Sequence, residues 1–229
     1  MEKVTPRESK RITYSSEIRA LKLLPFNSEQ LSIIKGSLLG DGCLHPGWPG
    51  TSINYVFSKT HSVKQREYVE WICAKLQPFV LKKPYLYKPV QSLKLRTISH
   101  NTLTQLRLQY YLNGKKVLPA DICEIIADPI ALAVWFMDDG NAVQRKGTLC
   151  GYHLNTQSYS YYENEVVVAA FEEILGIHPI IERNHGYYRI GIYKEKSRLR
   201  FKEIIQMHII PSMQYKLGSI GDSLRTRRD

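Results

Sequence analysis

Two apolar stretches of similar length each end in Asp-Gly, and their aspartates are the residues whose type and spacing could support metal-dependent chemistry. The stretches read "IIKGSLLGDG" (33–42) and "ALAVWFMDDG" (131–140), so that Asp41 and Asp139 lie 98 residues apart. A carboxylate at the C-terminal end of a helix opposes the helix macrodipole, and its recurrence at matching positions calls for a compensating cation. Mg²⁺ fits this role, because it accepts one or two carboxylates together with water and substrate phosphates.

The spacing of small residues predicts that the two motif helices pack side by side. Gly36 and Gly40 are four residues apart, so they share a helix face and let a partner backbone approach. If the second motif is that partner, Asp41 and Asp139 lie beside each other, and a cation between them relieves their repulsion. A single helix ending in Asp-Gly is commonplace, since glycine is the favoured residue after a helix. The repetition is what favours a functional site.

The same offset relates other segments, which predicts an internal duplication. A shift of 98 residues places 55–72 over 153–170, and each is a strand-like segment followed by a helix-like one. Lys116 and Lys216 lie 100 residues apart, close to the same offset. We therefore divide the chain into a basic N-terminal extension (1–26), a first half (27–118), a second half (119–222) and a basic tail (223–229).

Hydrophobic patterning predicts the order αββαββα in each half, and hence an α+β fold with two four-stranded antiparallel sheets and helices on one face of each. The predicted helices cover 27–39, 62–77, 101–112, 129–139, 160–175 and 195–207. The predicted strands cover 42–46, 52–59, 85–89, 93–99, 141–146, 150–157, 178–183 and 187–193. In the fourth strand, Leu93 and Leu95 alternate with Lys94 and Arg96, so one sheet face is apolar and the other is polar.

The charge balance favours a polyanionic partner. Thirty-two Lys and Arg against twenty-one Asp and Glu give a net charge of +11, which indicates nucleic acid first and an anionic membrane second. The open sheet faces carry side chains of the types that contact bases and phosphates, although a solvated sheet face is the alternative. The candidates for DNA contact are Lys94, Arg96, Arg145, Lys146, His153, Asn155, Tyr187 and Arg189.

Cysteine usage and hydropathy bear on the compartment. The four cysteines are widely separated and form no CxxC pair, which is typical of a reducing compartment. No apolar stretch approaches the roughly twenty residues needed to span a bilayer, and the N-terminus lacks a secretory signal. We expect an intracellular protein of an organelle (mitochondrion or chloroplast) or of the bacterial cytoplasm, with no membrane partner.

The two motifs, "IKGSLLGDG" (34–42) and "LAVWFMDDG" (132–140), resemble the LAGLIDADG motifs of homing endonucleases, and the chain resembles their single-chain, two-motif branch, most closely the omega-intron type. The segments "NGKKVLP" (113–119), "LNTQSYS" (154–160) and "IIPSMQYKLG" (209–218) extend the resemblance. It implies a pseudo-twofold symmetric monomer, with the motif helices at a central seam and the sheets forming a saddle on DNA. The implied activity is double-strand cleavage at a long non-palindromic target, by a protein that is typically intron-encoded, with Mg²⁺ as cofactor and Mn²⁺ able to substitute.

The resemblance also implies metal ligands. Asp41 and Asp139, the acids that end the motifs, would bind the metals through their carboxylates. Gly40 and Asp138, one residue earlier in each motif, would turn backbone carbonyls toward the metals. For the side chain of Asp138 it implies no ligand role.

Four further residues correspond to family positions that act near the scissile phosphates. Lys116 and Lys216 match the basic residue of each half that organises water and offsets charge. Gln157 matches a polar residue at a strand end that positions the water, and the offset of 98 residues gives Lys59 as its counterpart. A lysine there departs from the family pattern.

Two other functions remain open on the same fold. An RNA maturase would bind intron RNA and assist group I intron splicing without catalysis of its own. A transcriptional regulator would have kept the fold and lost cleavage, but the retained acids and lysines argue against it.

Overall fold

The computed structural model describes residues 15–47, 53–87 and 91–218. Residues 1–14 of the predicted N-terminal extension and the predicted tail at 223–229 lie outside these ranges. The chain divides into two compact units: one comprises the residues up to Leu31 together with Gly42–Tyr111, and the other comprises Ser32–Asp41 together with the chain from Leu112 onward. The end of the first motif helix therefore belongs to the same unit as the whole second motif.

The order αββαββα is present in both halves, as predicted. The first half contains α2 (Ser28–Leu39), β1 (Cys43–Pro46), β2 (Tyr55–Ser62), α3 (Arg66–Lys75), β3 (Tyr85–Tyr87), β4 (Ser92–Arg96) and α4 (Asn101–Tyr110). The second half contains α6 (Pro129–Asp139), β7 (Gly140–Arg145), β8 (Thr148–Leu154), α7 (Tyr161–Leu175), β9 (Ile180–Asn184), β10 (Tyr187–Ile192) and α8 (Glu195–Ile205).

The two sheets have the same antiparallel topology, which confirms the α+β fold class. The strand order is β1-β2-β4-β3 in one sheet and β7-β8-β10-β9 in the other. Two-residue turns with positive φ connect strands where the direction reverses, at Lys146-Gly147 and His185-Gly186. Such turns match the twist of the strands that they join.

Several short elements were not anticipated from the sequence. They are α1 (Ser16–Leu21), α5 (Ile122–Ala127), the hairpin strands β5 (Tyr111–Leu112) and β6 (Lys115–Lys116), and 3₁₀ segments at Val63–Gln65, Gln206–His208 and Pro211–Leu217. Each has seven residues or fewer, too few for a hydrophobic period to stand out.

The end of β2 lies three residues beyond the predicted position, because tertiary pairing extends the strand. Residues 58–62 pair with 92–96 of β4 in continuous antiparallel register, so β2 reaches Ser62. The end of β8 differs in the opposite direction: this strand stops at Leu154 instead of residue 157. The two halves are therefore unequal just before their second helices.

An aromatic cluster covers the inner face of the second sheet and fixes which face stays open. Tyr152 of β8 contacts Phe136 of α6 and Phe201 of α8, with ring centroids 5.6 and 5.5 Å apart. Leu154, Ile190 and Ile192 are fully buried on the same face. The alternating residues of these strands lie on the opposite face, as the alternation predicted. No helix among the described residues is long and apolar enough to cross a membrane.

Candidate active site

The two motif helices touch through their backbones. A Cβ placed on Gly36 of α2 would lie 2.2 Å from the carbonyl oxygen of Ala131 in α6, far closer than carbon and oxygen can approach. Only glycine fits at this crossing. The close approach predicted from the spacing of Gly36 and Gly40 is therefore observed, and it brings the ends of the motifs together within one unit.

The carboxylate of Asp138 joins the two motif ends. Its Oδ2 accepts a hydrogen bond from the backbone N–H of Asp41 at 3.2 Å. A Cβ on Gly40 would lie 2.5 Å from the Cβ of Asp138, so Gly40 leaves room for this side chain. Asp138 is only 8% exposed, whereas Asp41 is exposed. The resemblance implied only a backbone role for Asp138, whereas in the structure its side chain positions the residue that carries the first acid.

A lysine binds the backbone at the end of each motif. Lys116 Nζ donates to the carbonyl oxygen of Gly40 at 2.5 Å. Lys216 Nζ donates to the carbonyl oxygens of Asp138 at 2.9 Å and Met137 at 2.5 Å. An ammonium at a helix C-terminus stabilises the macrodipole and offsets the acids there. The structure thus places both predicted lysines at the motif ends, on equivalent atoms of the two repeats.

Asn155 holds the backbone of the second acid. The carbonyl oxygen of Asp139 accepts from the backbone N–H of Asn155 at 3.0 Å and from its Nδ2 at 2.7 Å. Gln157 Nε2 lies 3.4 Å from Asn155 Oδ1, so the predicted water-positioning residue belongs to the same cluster. Asn155, predicted as a DNA contact, therefore also supports the motif.

Lys59 has different surroundings from Gln157. It lies inside β2, three residues before the strand ends, and is 1% exposed. Its Nζ lies 3.4 Å from the hydroxyl of Tyr68 and 4.9 Å from the centre of that ring. Lys59 and Tyr68 belong to the unit that does not contain the motif ends.

The open face of the first sheet carries Lys94 and Arg96, as predicted. Both side chains are half-buried, and Leu93 and Leu95 on the other face are 2% and 1% exposed. Arg96 donates to the carbonyl oxygen of Gly47. Burial lowers the pKa of His45 on β1, and the positive charges of Arg96 and Lys94 lower it further.

The open face of the second sheet carries a hydrogen-bonded cluster around Glu182. Its Oε1 accepts from the hydroxyl of Tyr193 at 2.6 Å, and its Oε2 accepts from Arg189 Nε at 3.1 Å. His153 Nε2 lies 2.6 Å from the Tyr193 hydroxyl and 3.2 Å from Glu182 Oε2. His153 and Arg189 are predicted DNA contacts, but Glu182 is not among the predicted site residues. Its place opposite Arg189 follows from the β9–β10 register, which the hairpin turn sets.

The pKa values in this cluster follow from burial and these contacts. Burial and the charge of Arg189 lower the pKa of His153. Although burial opposes ionisation of Glu182, hydrogen bonds from Tyr193 and Arg189 bring its pKa below the ordinary value. Burial and the neighbouring Glu182 raise the pKa of Tyr193 to about 12. At neutral pH the cluster therefore contains an ionised Glu182 and a neutral Tyr193 beside the guanidinium of Arg189.

The remaining predicted DNA contacts are solvent-accessible. Arg145 ends β7, Lys146 occupies the following turn with φ of 50°, and Tyr187 begins β10 with 61% exposure. Arg145 and Lys146 are also exposed. None of these three side chains is buried in the core.

The motif ends supply several oxygen donors. They are the carboxylates of Asp41, Asp138 and Asp139 and the carbonyls that Lys116 and Lys216 contact. Hard oxygen donors fit Mg²⁺. The two carbonyls already bind ammonium groups, which indicates that this region attracts cations.

The chain is a two-repeat αββαββα protein. In each repeat, an acid and a lysine lie at the end of the first helix. Residues 31–199 match the model of the LAGLIDADG DNA endonuclease family. The chain belongs to this family, in its single-chain, two-motif form.

Relatives and a solved structure agree with this assignment. The cytochrome b mRNA maturase bI2 of Debaryomyces hansenii is 27% identical over 208 residues, covering 85% of this chain and 76% of the relative. The probable intron-encoded endonuclease 1 of Wickerhamomyces canadensis is 26% identical over 163 residues, covering 67% of this chain and 70% of the relative. The homing endonuclease I-WcaI, solved bound to its DNA recognition sequence, gives a TM-score of 0.80 at 22% identity, covering 92% of this chain and 96% of that one. This last likeness shows the fold.

Proposed function

We propose that this protein is a site-specific DNA endonuclease that hydrolyses both strands of a long, non-palindromic target and is encoded within an intron. The observation that carries the proposal is the repeated contact at the motif ends: Lys116 on Gly40 and Lys216 on Asp138, each beside a motif acid. A lysine at a helix C-terminus stabilises the helix by itself, but an acid there opposes the macrodipole, so the repeated acid is not explained by helix stability.

The motif ends have defined roles in this proposal. Asp41 and Asp139 hold divalent metal, with the carbonyls of Gly40 and Asp138 turned to the same region. When bound there, Mg²⁺ would polarise a phosphoryl oxygen and lower the pKa of an attacking water. Lys116 and Lys216 supply positive charge beside the scissile phosphates, and Asp138 and Asn155 keep the backbones of the two acids in place.

DNA binding rests on the charge of the chain and the open sheet faces. The net charge of +11 supplies sequence-independent attraction to phosphates. Polar side chains on each open face, such as Lys94 and Arg189, reach base edges and phosphates. Because binding and metal-dependent hydrolysis depend on different residues, the two are separable by mutation.

Plasmid cleavage tests the proposal. A plasmid carrying the exon junction that flanks the gene is incubated with purified protein and Mg²⁺, and conversion to linear DNA is measured. We expect wild type to linearise it and Asp41→Asn and Asp139→Asn to reduce the rate by at least about a hundredfold, because each removes a charged metal ligand. Glu203→Gln, at an exposed carboxylate on α8 paired with Arg200, is the matched control and should cut normally. Full activity in both aspartate variants would refute the assigned site.

A maturase is the second candidate, favoured by the likeness to bI2 over 85% of this chain. It would bind the group I intron RNA through the same positive faces and stabilise its fold. Splicing of the host intron is followed in vitro with wild type and with Asp139→Asn. Splicing that depends on the protein and survives this substitution would assign RNA binding independent of cleavage, whereas protein-independent splicing would exclude the maturase role.

A further inference from the structure

The ring of Tyr193 supports the cluster around Glu182 on the open face of the second sheet. A Cβ on Gly151 would lie 2.5 Å from Cδ1 of Tyr193, and a Cβ on Gly191 would lie 2.5 Å from Cε2 of the same ring. The ring therefore rests directly on two neighbouring strands at positions where any side chain larger than glycine would collide. Its hydroxyl is thereby fixed against Glu182.

Glu182 fixes the orientation of Arg189. Its two oxygens are both engaged as acceptors, Oε1 with Tyr193 and Oε2 with Arg189 Nε. Within the described part of the chain, Nε is the only Arg189 nitrogen with a hydrogen-bond partner, and the side chain is 24% exposed. The guanidinium is thus held by one edge, and its two terminal amino groups are available to a ligand.

The charges in the cluster favour a base over a phosphate as that ligand. Glu182 neutralises Arg189 locally and would repel a phosphate brought close to it. A base edge carries no net charge and meets no such repulsion. Guanine offers two acceptors, O6 and N7, that match two parallel N–H donors of arginine, which is the commonest specific contact in the major groove.

We propose that Arg189 is a specificity-determining residue that reads one guanine of the DNA target, with Glu182 and Tyr193 as its positioning residues. This inference rests on the proposed function, since it requires DNA on the open face of the second sheet. It assigns a role to Glu182, although the negative charge of this residue by itself would disfavour DNA binding on that face. Glu182 lowers general attraction to phosphates and raises discrimination at one base pair.

Selection from randomised DNA duplexes in Ca²⁺ tests the proposal, with enriched sequences compared between variants. We expect wild type to show one position with a strong guanine preference. Arg189→Lys keeps the charge but loses the two parallel N–H donors of the guanidinium. It should reduce that preference about tenfold or more and leave other positions unchanged. Glu182→Gln should weaken the same preference, because an amide cannot accept from both Tyr193 and Arg189. Arg200→Lys on α8 is the matched control and should reproduce the wild-type profile.

The possible outcomes distinguish failure of the proposed role of Arg189 from failure of the proposed endonuclease function. If wild type selects defined sites and Arg189→Lys and Glu182→Gln leave the profile unchanged, the guanine-reading role of Arg189 is refuted. The proposed endonuclease function would then be unaffected. An equal loss at all positions, accompanied by a lower midpoint of thermal unfolding, would make the cluster structural and also refute the role of Arg189. A wild-type protein that enriches no sequence would overturn both.

Discussion

At the scale of single residues, the charges at the motif ends stabilise the fold and, in the proposed endonuclease, also serve cleavage. Lys216 is 8% exposed and donates to two carbonyls at the end of α6. Asp138 accepts from the backbone of the other motif. We therefore expect a substitution here to change stability as well as cleavage, and the two effects must be measured separately.

Lys216→Met should destabilise the protein by about 1–3 kcal/mol, because the carbonyls of Met137 and Asp138 lose a buried charged donor. Urea unfolding measures this change. Lys116→Met removes the equivalent donor at a half-buried position and should cost less. Equal stability of wild type and Lys216→Met would contradict the capping role of this ammonium.

Asp138→Asn should retain cleavage within about tenfold of wild type, since the amide oxygen still accepts from the N–H of Asp41. Asp138→Ala removes this buried acceptor and should lower stability by about 1–3 kcal/mol. Cleavage rates and unfolding free energies of the two variants provide the comparison. A complete loss of cleavage in folded Asp138→Asn would instead make this carboxylate a metal ligand.

At the scale of elements, the helix crossing positions the site. The contact between Gly36 and the Ala131 carbonyl sets how closely α2 and α6 approach. Gly36→Ala should destabilise the protein by about 1–3 kcal/mol or more, since backbone must move to admit the methyl group. The clash is with a backbone oxygen, so adding Ala131→Gly should not restore stability. Recovery in the double variant, measured by thermal unfolding, would contradict this packing.

The sequence was sufficient for the elements whose signals are long and local. Alternation of Leu93 and Leu95 with Lys94 and Arg96, and the 98-residue repeat, were enough for both sheets and the helices that cover them. The end of β2 was not predictable, because pairing with β4 decides it. Two side-chain hydrogen bonds were not predictable either. They join Asp138 to Asp41 and Asn155 to Asp139, which lie 97 and 16 positions apart in the sequence. Contacts of this kind leave no periodic trace in a sequence.

At the scale of the whole molecule, stability should fall as the pH falls below about 6.5. Burial lowers the pKa values of His45, His100 and His153 from their ordinary value of 6.5. The unfolded chain therefore binds more protons in this window, so the stabilisation is complete above pH 6.5 and is lost as the pH falls through the lowered values.

His100→Asn should reduce this pH dependence. His100 Nδ1 accepts from the N–H of Thr102 as the N-cap of α4, a role that protonation of Nδ1 abolishes. Asparagine is a good N-cap that does not titrate in this range. Urea unfolding between pH 7.5 and 5.5 gives the slope for each protein. An equal slope in wild type and His100→Asn would show that His100 does not contribute.

In the proposed endonuclease, DNA binding and DNA cleavage depend on different residues, and cleavage depends on Asp41 and Asp139. The direct measurement is the affinity for the target in Ca²⁺ and the single-turnover cleavage rate in Mg²⁺, for wild type and the double variant Asp41→Asn/Asp139→Asn. We predict affinities within about threefold, because phosphate contacts dominate binding, and a cleavage rate at least about a thousandfold lower in the variant. A double variant that binds equally and still cuts at the wild-type rate would contradict the claim.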